Sequence, residues 1–243
     1  MKNLLSVDYD FFSKENPMWD WGHSEENSIF KNVAWTARYS TLDLYEECHF
    51  KHADFHPKRL GEHLKEKGFV FKSGIPIAIS DSHKDLYEFA KKQGRCNIYN
   101  FDAHHDMFAG RKKLDCANWL IKLRQAKMVG KAVWVKPCWL KQFSPRKYHL
   151  PKLTEVFWGD LETENIKIKI DAVFFCRSGA WVPPHHDVDF IRMISSILSD
   201  SHGKTECYSD IGLRVHPTKE QARMQFEDMQ EQMAKFRKET ANT

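Results

Sequence analysis

Apolar residues in this chain fall into short runs separated by longer amphipathic stretches. Runs of strand length, rich in β-branched and aromatic residues, predict strands over 3–8, 74–79 and 96–101, with Pro76 marking an edge or a strand start. Further runs predict strands over 130–136, 154–158, 170–176 and 205–209. Between them, apolar positions at helical spacing predict helices over 57–67, 83–93, 117–128 and 186–199. Strands alternating with helices of ten or more residues imply an α/β fold, three-layered around a mostly parallel central sheet.

Two segments depart from this rhythm. Residues 218–238 open with a cap-like Thr218/Glu220 cluster and place Ala222, Phe226, Met229, Met233 and Phe236 on one helical stripe. The stripe lasts barely two heptads, so packing against the sheet is expected rather than a dimer seam. Residues 12–56 have weak periodicity and are rich in Trp, Asp, Glu, His and Asn, as in Trp19-Asp20-Trp21-Gly22-His23 and Cys48-His49-Phe50-Lys51-His52. A long irregular stretch of that kind is expected to be a lid or binding loop. No internal repeat, low-complexity tract or linker divides the 243 residues, which fit a single catalytic-size domain.

Composition narrows the class. An apolar fraction of 42% with 13% aromatic residues is ample for a core, and 37 basic against 33 acidic residues, a net charge of +4, is too balanced to imply a nucleic-acid binder. No run approaches the roughly 18 apolar residues of a membrane span, and Met1-Lys2-Asn3-Leu4-Leu5 carries no signal-peptide apolar region. The six cysteines are scattered without a CxxC pair. A reduced, cytoplasmic protein, monomeric or a small homo-oligomer, is the expectation.

The densest chemistry is Asp102-Ala103-His104-His105-Asp106, directly after the strand at 96–101. Strand side chains alternate faces, so Asp102, His104 and Asp106 converge if the chain stays extended, while His105 points away. Two carboxylates and an imidazole suit a hard or borderline divalent cation. The competing reading is a polar loop that caps the next helix, but burying this much charge beside a strand costs several kcal/mol without a cation to offset it.

Asp8 and Asp10 end the first strand, and ligands bind α/β sheets at the carboxyl ends of parallel strands. They serve either as metal ligands or as cap and turn aspartates. His83 follows Ser80-Asp81-Ser82 at a third strand end, where it is either a ligand or a helix-start histidine. Together Asp8, Asp10, His83, Asp102, His104 and Asp106 suit a two-metal site with a bridging carboxylate.

Asp-Ala-His-x-Asp after a strand, a Ser-x-Asp-x-Asp strand end and an isolated upstream histidine resemble the arginase-like ureohydrolases. That resemblance implies two Mn²⁺ ions, with Zn²⁺ or another divalent cation as substitute, and hydrolysis of guanidinium groups to an amine and urea. It places His83, Asp102, Asp106 and Asp8 on one ion and Asp102, His104, Asp8 and Asp10 on the other. It makes Asp102 the bridge and Asp106 both ligand and proton carrier. Cys116-Ala117-Asn118-Trp119 is similar to the substrate-contacting Ser-Gly-Asn segment, which nominates Asn118.

The chain departs from that pattern in three ways. Asp81-Ser82-His83 stands for Gly-Gly-Asp-His, and Trp119-Leu120 stands where a proton-shuttling histidine is usual. The Asp-x-Asp strand opens the chain instead of following the histidine motif, which implies a circular permutation. Small permuted proteins of this type resemble a family that includes peptide arginases of ribosomal-peptide natural-product pathways, so the implied partner is an arginine-containing precursor peptide.

Other polar residues complete the candidates. Arg177, after the strand at 170–176, either orients a substrate carboxylate or peptide carbonyl or forms a salt bridge. Asp210 either accepts a guanidinium or serves a turn, and Asp20 is a second acidic candidate for a cationic substrate. Asp187-Val188-Asp189 reads as helix capping. Three other functions compete: a one-Zn²⁺ deacetylase using His185-His186, a haloacid-dehalogenase-type phosphatase using Asp8 and Asp10, and a metal-stabilised peptide-binding module. The phosphatase leaves Asp102, His104 and Asp106 unexplained.

Overall fold

The computed structural model describes residues 1–13, 28–41, 54–110, 112–142, 150, 152–161, 167–198 and 203–241. Its strands are β1 (Lys2–Asp8), β2 (Phe69–Phe71), β3 (Ile77–Ser80), β4 (Cys96–Phe101), β5 (Val129–Lys136), β6 (Leu153–Phe157), β7 (Ile168–Ile170), β8 (Ala172–Cys176) and β9 (Thr205–Cys207). Its helices are α1 (Ser28–Thr41), α2 (Leu60–Glu66), α3 (Leu86–Gln93), α4 (Trp119–Gln125), α5 (Asp187–Leu198) and α6 (Lys219–Ala241).

Seven strands form one sheet in the order β6-β5-β4-β1-β8-β3-β9, and every neighbouring pair is parallel. Helices cover both faces, giving the three-layer α/β fold that the strand–helix alternation implies. The chain crosses from β3 on one side of β1 to β4 on the other, so a crevice opens beside the carboxyl end of β1.

Residue alternation assigns the two faces. Leu5 and Val7 join Phe101, Val133, Val173 and Phe175 under α2 and α5. Leu4, Ile98, Ala172 and Phe174 point the other way, under α3 and α4. Ser6, Asp8, Asn100 and Asp102 share the parity of Leu4 and Ile98, so four polar side chains lie on that second face toward the strand ends. Each apolar side chain fully buried in these layers contributes about 1.5–3 kcal/mol. The first face needs a close approach at Gly61, where a Cβ would sit 2.1 Å from the Ser196 carbonyl oxygen of α5.

Several sequence expectations are corrected. The run at 170–176 is interrupted at Asp171, whose backbone N–H donates to Asn3 O at 2.8 Å and whose carboxylate accepts from the Asn3 N–H at 2.9 Å. Residues before the interruption form β7, which pairs with β2 in a separate two-stranded sheet. The irregular stretch at 12–56 contains a helix, α1; its aromatic clusters at 19–23 and 48–52, Asp20 among them, lie outside the described residues.

The C-terminal helix packs on α1 and not on the sheet. Thr218 and Gln221 cap it reciprocally, Gln221 N–H donating to Thr218 Oγ1 and Thr218 N–H to Gln221 Oε1. Ala222 is buried and Phe226 and Met229 are half-buried, whereas Met233 and Phe236 are exposed, so cover of the stripe fades toward its end. Asp187 opens α5, yet its carboxylate is engaged by Arg177 and Arg214 instead of capping the helix. Among the described residues no helix is long and apolar enough to cross a membrane.

Candidate metal centre

Register brings the strand ends together. Val7 of β1 lies level with Phe101 of β4, so Asp8 and Asp102, one residue further on, are neighbours. Asp8 is also level with Cys176 of β8, which is itself level with Ser80 of β3. Beyond these points the chain turns instead of staying extended. Asp8 caps a short 3₁₀ turn over Tyr9–Phe11, its Oδ1 accepting from the Asp10 N–H at 3.2 Å, and that turn swings Asp10 back toward the crevice. Ser82 caps a second 3₁₀ turn that presents His83. After β4 the chain bends, with Asp102 Oδ1 accepting from the His104 N–H at 2.7 Å and Asp106 in a left-handed conformation at φ 51°.

Two groups of ligating atoms result, Asp8-His83-Asp102 and Asp10-Asp102-His104, each with its atoms within 4.8 Å of one another. Asp102 belongs to both. His83 Nδ1 lies 3.1 Å from Asp8 Oδ2, 3.0 Å from Asp102 Oδ2 and 3.0 Å from Asp106 Oδ2. His104 Nδ1 lies 3.0 Å from Asp10 Oδ2 and 3.6 Å from Asp102 Oδ1. All six sequence-derived candidates therefore converge. His105 faces away: its Nδ1 accepts from the Met107 N–H and its ring packs edge-on against Trp134.

A cation fits this cluster for two reasons. One ring nitrogen donates at most one hydrogen, so His83 Nδ1 cannot satisfy three carboxylate oxygens. With Nε2–H given to Ser6 Oγ, 2.7 Å away, Nδ1 instead offers its lone pair to whatever those oxygens share. Charge says the same: four buried carboxylates face two imidazoles, a negative excess even with both rings protonated. The buried Asp/His cluster, an oxygen-rich donor set with two imidazoles, is a candidate site for a metal ion.

Proton affinities show the strain of that charge. Burial, then the Asp102 charge, pushes the Asp106 carboxyl up to about 7 against the pull of His83. Burial and the charges of Asp8 and Asp102 raise Asp10 well above the carboxylate range, although His104 opposes them. Burial disfavours protonated His83, but the surrounding Asp102, Asp106 and Asp8 raise it well above its ordinary value. Asp102 goes the other way: burial opposes ionisation, and the bonds from His104 and His83 overcome it.

A second layer of groups orients the ligands. Asn100 Nδ2 donates to Asp102 Oδ2 at 3.0 Å, and the Ala103 N–H donates to Asp10 Oδ1 at 3.2 Å. The Trp119 indole N–H donates to Asp106 Oδ2, and Ser178 Oγ donates to Asp8 Oδ2 at 2.6 Å. Ser6, Asn100, Trp119 and Ser178 were not among the sequence candidates. For Ser6 and Asn100 the signal existed: each is a polar residue in an apolar strand, two positions before an aspartate and on the same face.

The loop carrying Ser178 is fastened from above by α1. Lys31 pairs with Asp81, Trp35 Nε1 donates to Gly179 O at 2.7 Å, and Arg38 Nη1 donates to Ala180 O at 2.7 Å. Tyr39 Oη meets His185 Nδ1 at 2.7 Å. Positions 31, 35, 38 and 39 form one helical face, so α1 adds polar bonds with this loop to the burial of Ala34, Trp35, Ala37 and Tyr39. Below, Arg177 is committed to the same scaffold: Nε donates to Asp81 Oδ1 at 2.6 Å, and Nη1 to Asp187 Oδ2 at 3.2 Å and Gly212 O at 2.8 Å.

The remaining candidates sit apart from the cluster. Asn118 Nδ2 donates to Lys113 O at 2.8 Å and its Oδ1 accepts from the Asp115 N–H at 2.9 Å, pinning the loop before α4. Asp210 is exposed, its Oδ1 accepting from the Gly212 N–H at 2.8 Å in a turn. His185 and His186 belong to neither ligand group. The rim lies at His104, whose side chain is 45% exposed and faces the Trp181 ring at 6.1 Å between centroids.

No protein-family model, no curated protein and no solved structure matches the chain.

Proposed function

We propose that the chain is a two-metal hydrolase of guanidino groups, of the arginase-like kind, that converts arginine residues within a peptide to ornithine and releases urea. The observation that carries this reading is the shared Asp102, which joins two separate carboxylate–imidazole groups into one centre. Mn²⁺ ions on such a ligand set supply Lewis acidity and lower the pKa of water.

The chain's own groups account for the rest. A water oxygen adds to the guanidinium carbon, the bond from that carbon to the side-chain nitrogen breaks, and urea and a primary amine result. Asp106 takes the proton released by the water and gives it to the departing amine. The Trp119 indole keeps Asp106 aimed at the cluster, in the place where a shuttling histidine is absent. A side chain presented by a peptide enters at the rim formed by His104 and Trp181.

The rival readings use less of what converges here. A phosphatase with Asp8 as nucleophile leaves four of the six clustered side chains without a part. A one-Zn²⁺ deacetylase using His185-His186 draws on residues outside both ligand groups. The test is incubation of the Mn²⁺-loaded protein with arginine and with arginine-containing peptides. Urea release with a loss of about 42 Da from a peptide, the mass expected of this hydrolysis, supports the reading. Metal binding without turnover of any guanidino compound supports the binding module instead.

A further inference from the structure

We propose a second binding site, for an acidic polypeptide segment, at the opposite end of the sheet from the Asp/His cluster. It does not rest on the hydrolase reading. A shallow, open cleft of about 690 Å³ at the N-terminal ends of the strands is lined by Lys2, Lys72, Arg95, Lys167 and Lys169, with Asp171 its one carboxylate. Asp171 is committed, pairing with Lys72 and accepting from the Asn3 N–H. Lys2, Arg95, Lys167 and Lys169 have no ion-pair partner among the described residues.

A second cleft, of about 630 Å³, shares Arg95 and adds Arg124, Lys127 and Lys152 with no carboxylate at all. Eight cations and one engaged anion thus line two clefts that share Arg95, in a chain whose whole balance is 37 basic to 33 acidic. Such a concentration attracts a flexible anion and concentrates it locally.

Two simpler explanations cover only part of this. Cations at helix C-termini offset the helix dipole, which accounts for Arg95 after α3 and for Arg124 and Lys127 at the end of α4. Lys2, Lys72, Lys167 and Lys169 lie on or beside strands and have no such role. Nucleic acid is the other polyanion, but neither cleft has an aromatic lining residue on which bases would stack. Lysine predominates over arginine in the first cleft, which favours point-charge attraction to carboxylates over bidentate phosphate recognition. Met107, Ile121 and Val129 line the second cleft and suit aliphatic residues interspersed among the acids.

The experiment is fluorescence anisotropy of a labelled glutamate-rich peptide with the full-length protein. Binding is expected at about 0.01 M salt and is expected to be lost near 1 M, where the screening length falls from roughly 30 Å to roughly 3 Å. The triple variant Arg95→Glu, Lys167→Glu, Lys169→Glu should weaken it by about tenfold or more. A charge-matched control, Lys219→Glu, Lys235→Glu, Lys238→Glu on α6, should leave it within about twofold. The milder Arg95→Gln, Lys167→Gln, Lys169→Gln variant separates lost binding from lost folding. No binding at low salt, equal loss in cleft and control variants, or tighter binding of single-stranded DNA at the same residues overturns the proposal.

Discussion

Ser178 Oγ donates to Asp8 Oδ2 at 2.6 Å from a residue whose own backbone is held at φ 50°. A left-handed serine is costly by about 1–2 kcal/mol, and the surrounding bonds from α1, Arg177 and Arg214 hold it there. The loop after β8 is therefore part of the candidate metal centre even though it supplies no ligand.

Two substitutions separate the hydroxyl from the backbone. Ser178→Gly keeps the left-handed conformation without strain, and Ser178→Ala keeps the strain. Both remove the bond to Asp8, so both should lower Mn²⁺ affinity by about tenfold to a hundredfold in a metal titration. Only Ser178→Gly should melt at or above the wild-type temperature. Unchanged affinity in both would show that Ser178 does not orient Asp8.

Asp187 joins Arg177, at 3.2 Å, to Arg214, at 2.6 Å, with all three side chains largely buried. Asp187→Ala leaves the Arg214 guanidinium without its carboxylate and Arg177 with Asp81 alone, and should cost about 3–5 kcal/mol by denaturant unfolding. A loss under about 1 kcal/mol would mean that the network is not what holds the loop.

Gly61→Ala should destabilise by about 1–3 kcal/mol or more, because the new methyl lands 2.1 Å from the Ser196 carbonyl oxygen and α2 and α5 must separate. A helix interior normally gains from Gly→Ala by about 0.5–1 kcal/mol, so the sign of the change is itself diagnostic.

The metal-free protein should lose stability as pH rises through neutrality. The Asp106 carboxyl is at about 7 in the fold against about 3.9 unfolded, so its contribution is complete below about 4 and is lost as pH rises through 7. Asp10 and His83 are raised as well and act in the same direction, His83 from about 6.5 upward. Thermal melts of chelator-treated protein should fall from pH 5 to pH 8. Mn²⁺ should raise the melting temperature most at the alkaline end, because protons and metal compete for the same groups. A melting temperature that rises with pH in the absence of metal would contradict the charge crowding.

The site was legible in the sequence to the extent that it depends on strand parity. An aspartate just past each apolar run, on a parallel sheet, predicts convergence whatever the loops do, and Asp8 and Asp102 lie at matching register. Asp10 and Asp106 also arrive there, but through a 3₁₀ turn and a left-handed residue instead of an extended chain. The helix α1 was not legible, because its docking face is Lys31, Trp35, Arg38 and Tyr39, bonded to a loop, and hydrophobic periodicity cannot register such a face. The C-terminal stripe was legible as a helix but not in its partner, since that partner is α1 itself. The break at Asp171 is not legible in the sequence, because it rests on a long-range bond to Asn3.

Metal stoichiometry of the wild type and of Asp102→Ala tests the two-metal centre most directly, by equilibrium dialysis against Mn²⁺ and elemental analysis. Because Asp102 belongs to both ligand groups, the wild type should bind two ions per chain and Asp102→Ala should retain neither at the same free concentration. A wild type that binds no metal, or an Asp102→Ala variant that keeps both ions, would contradict it.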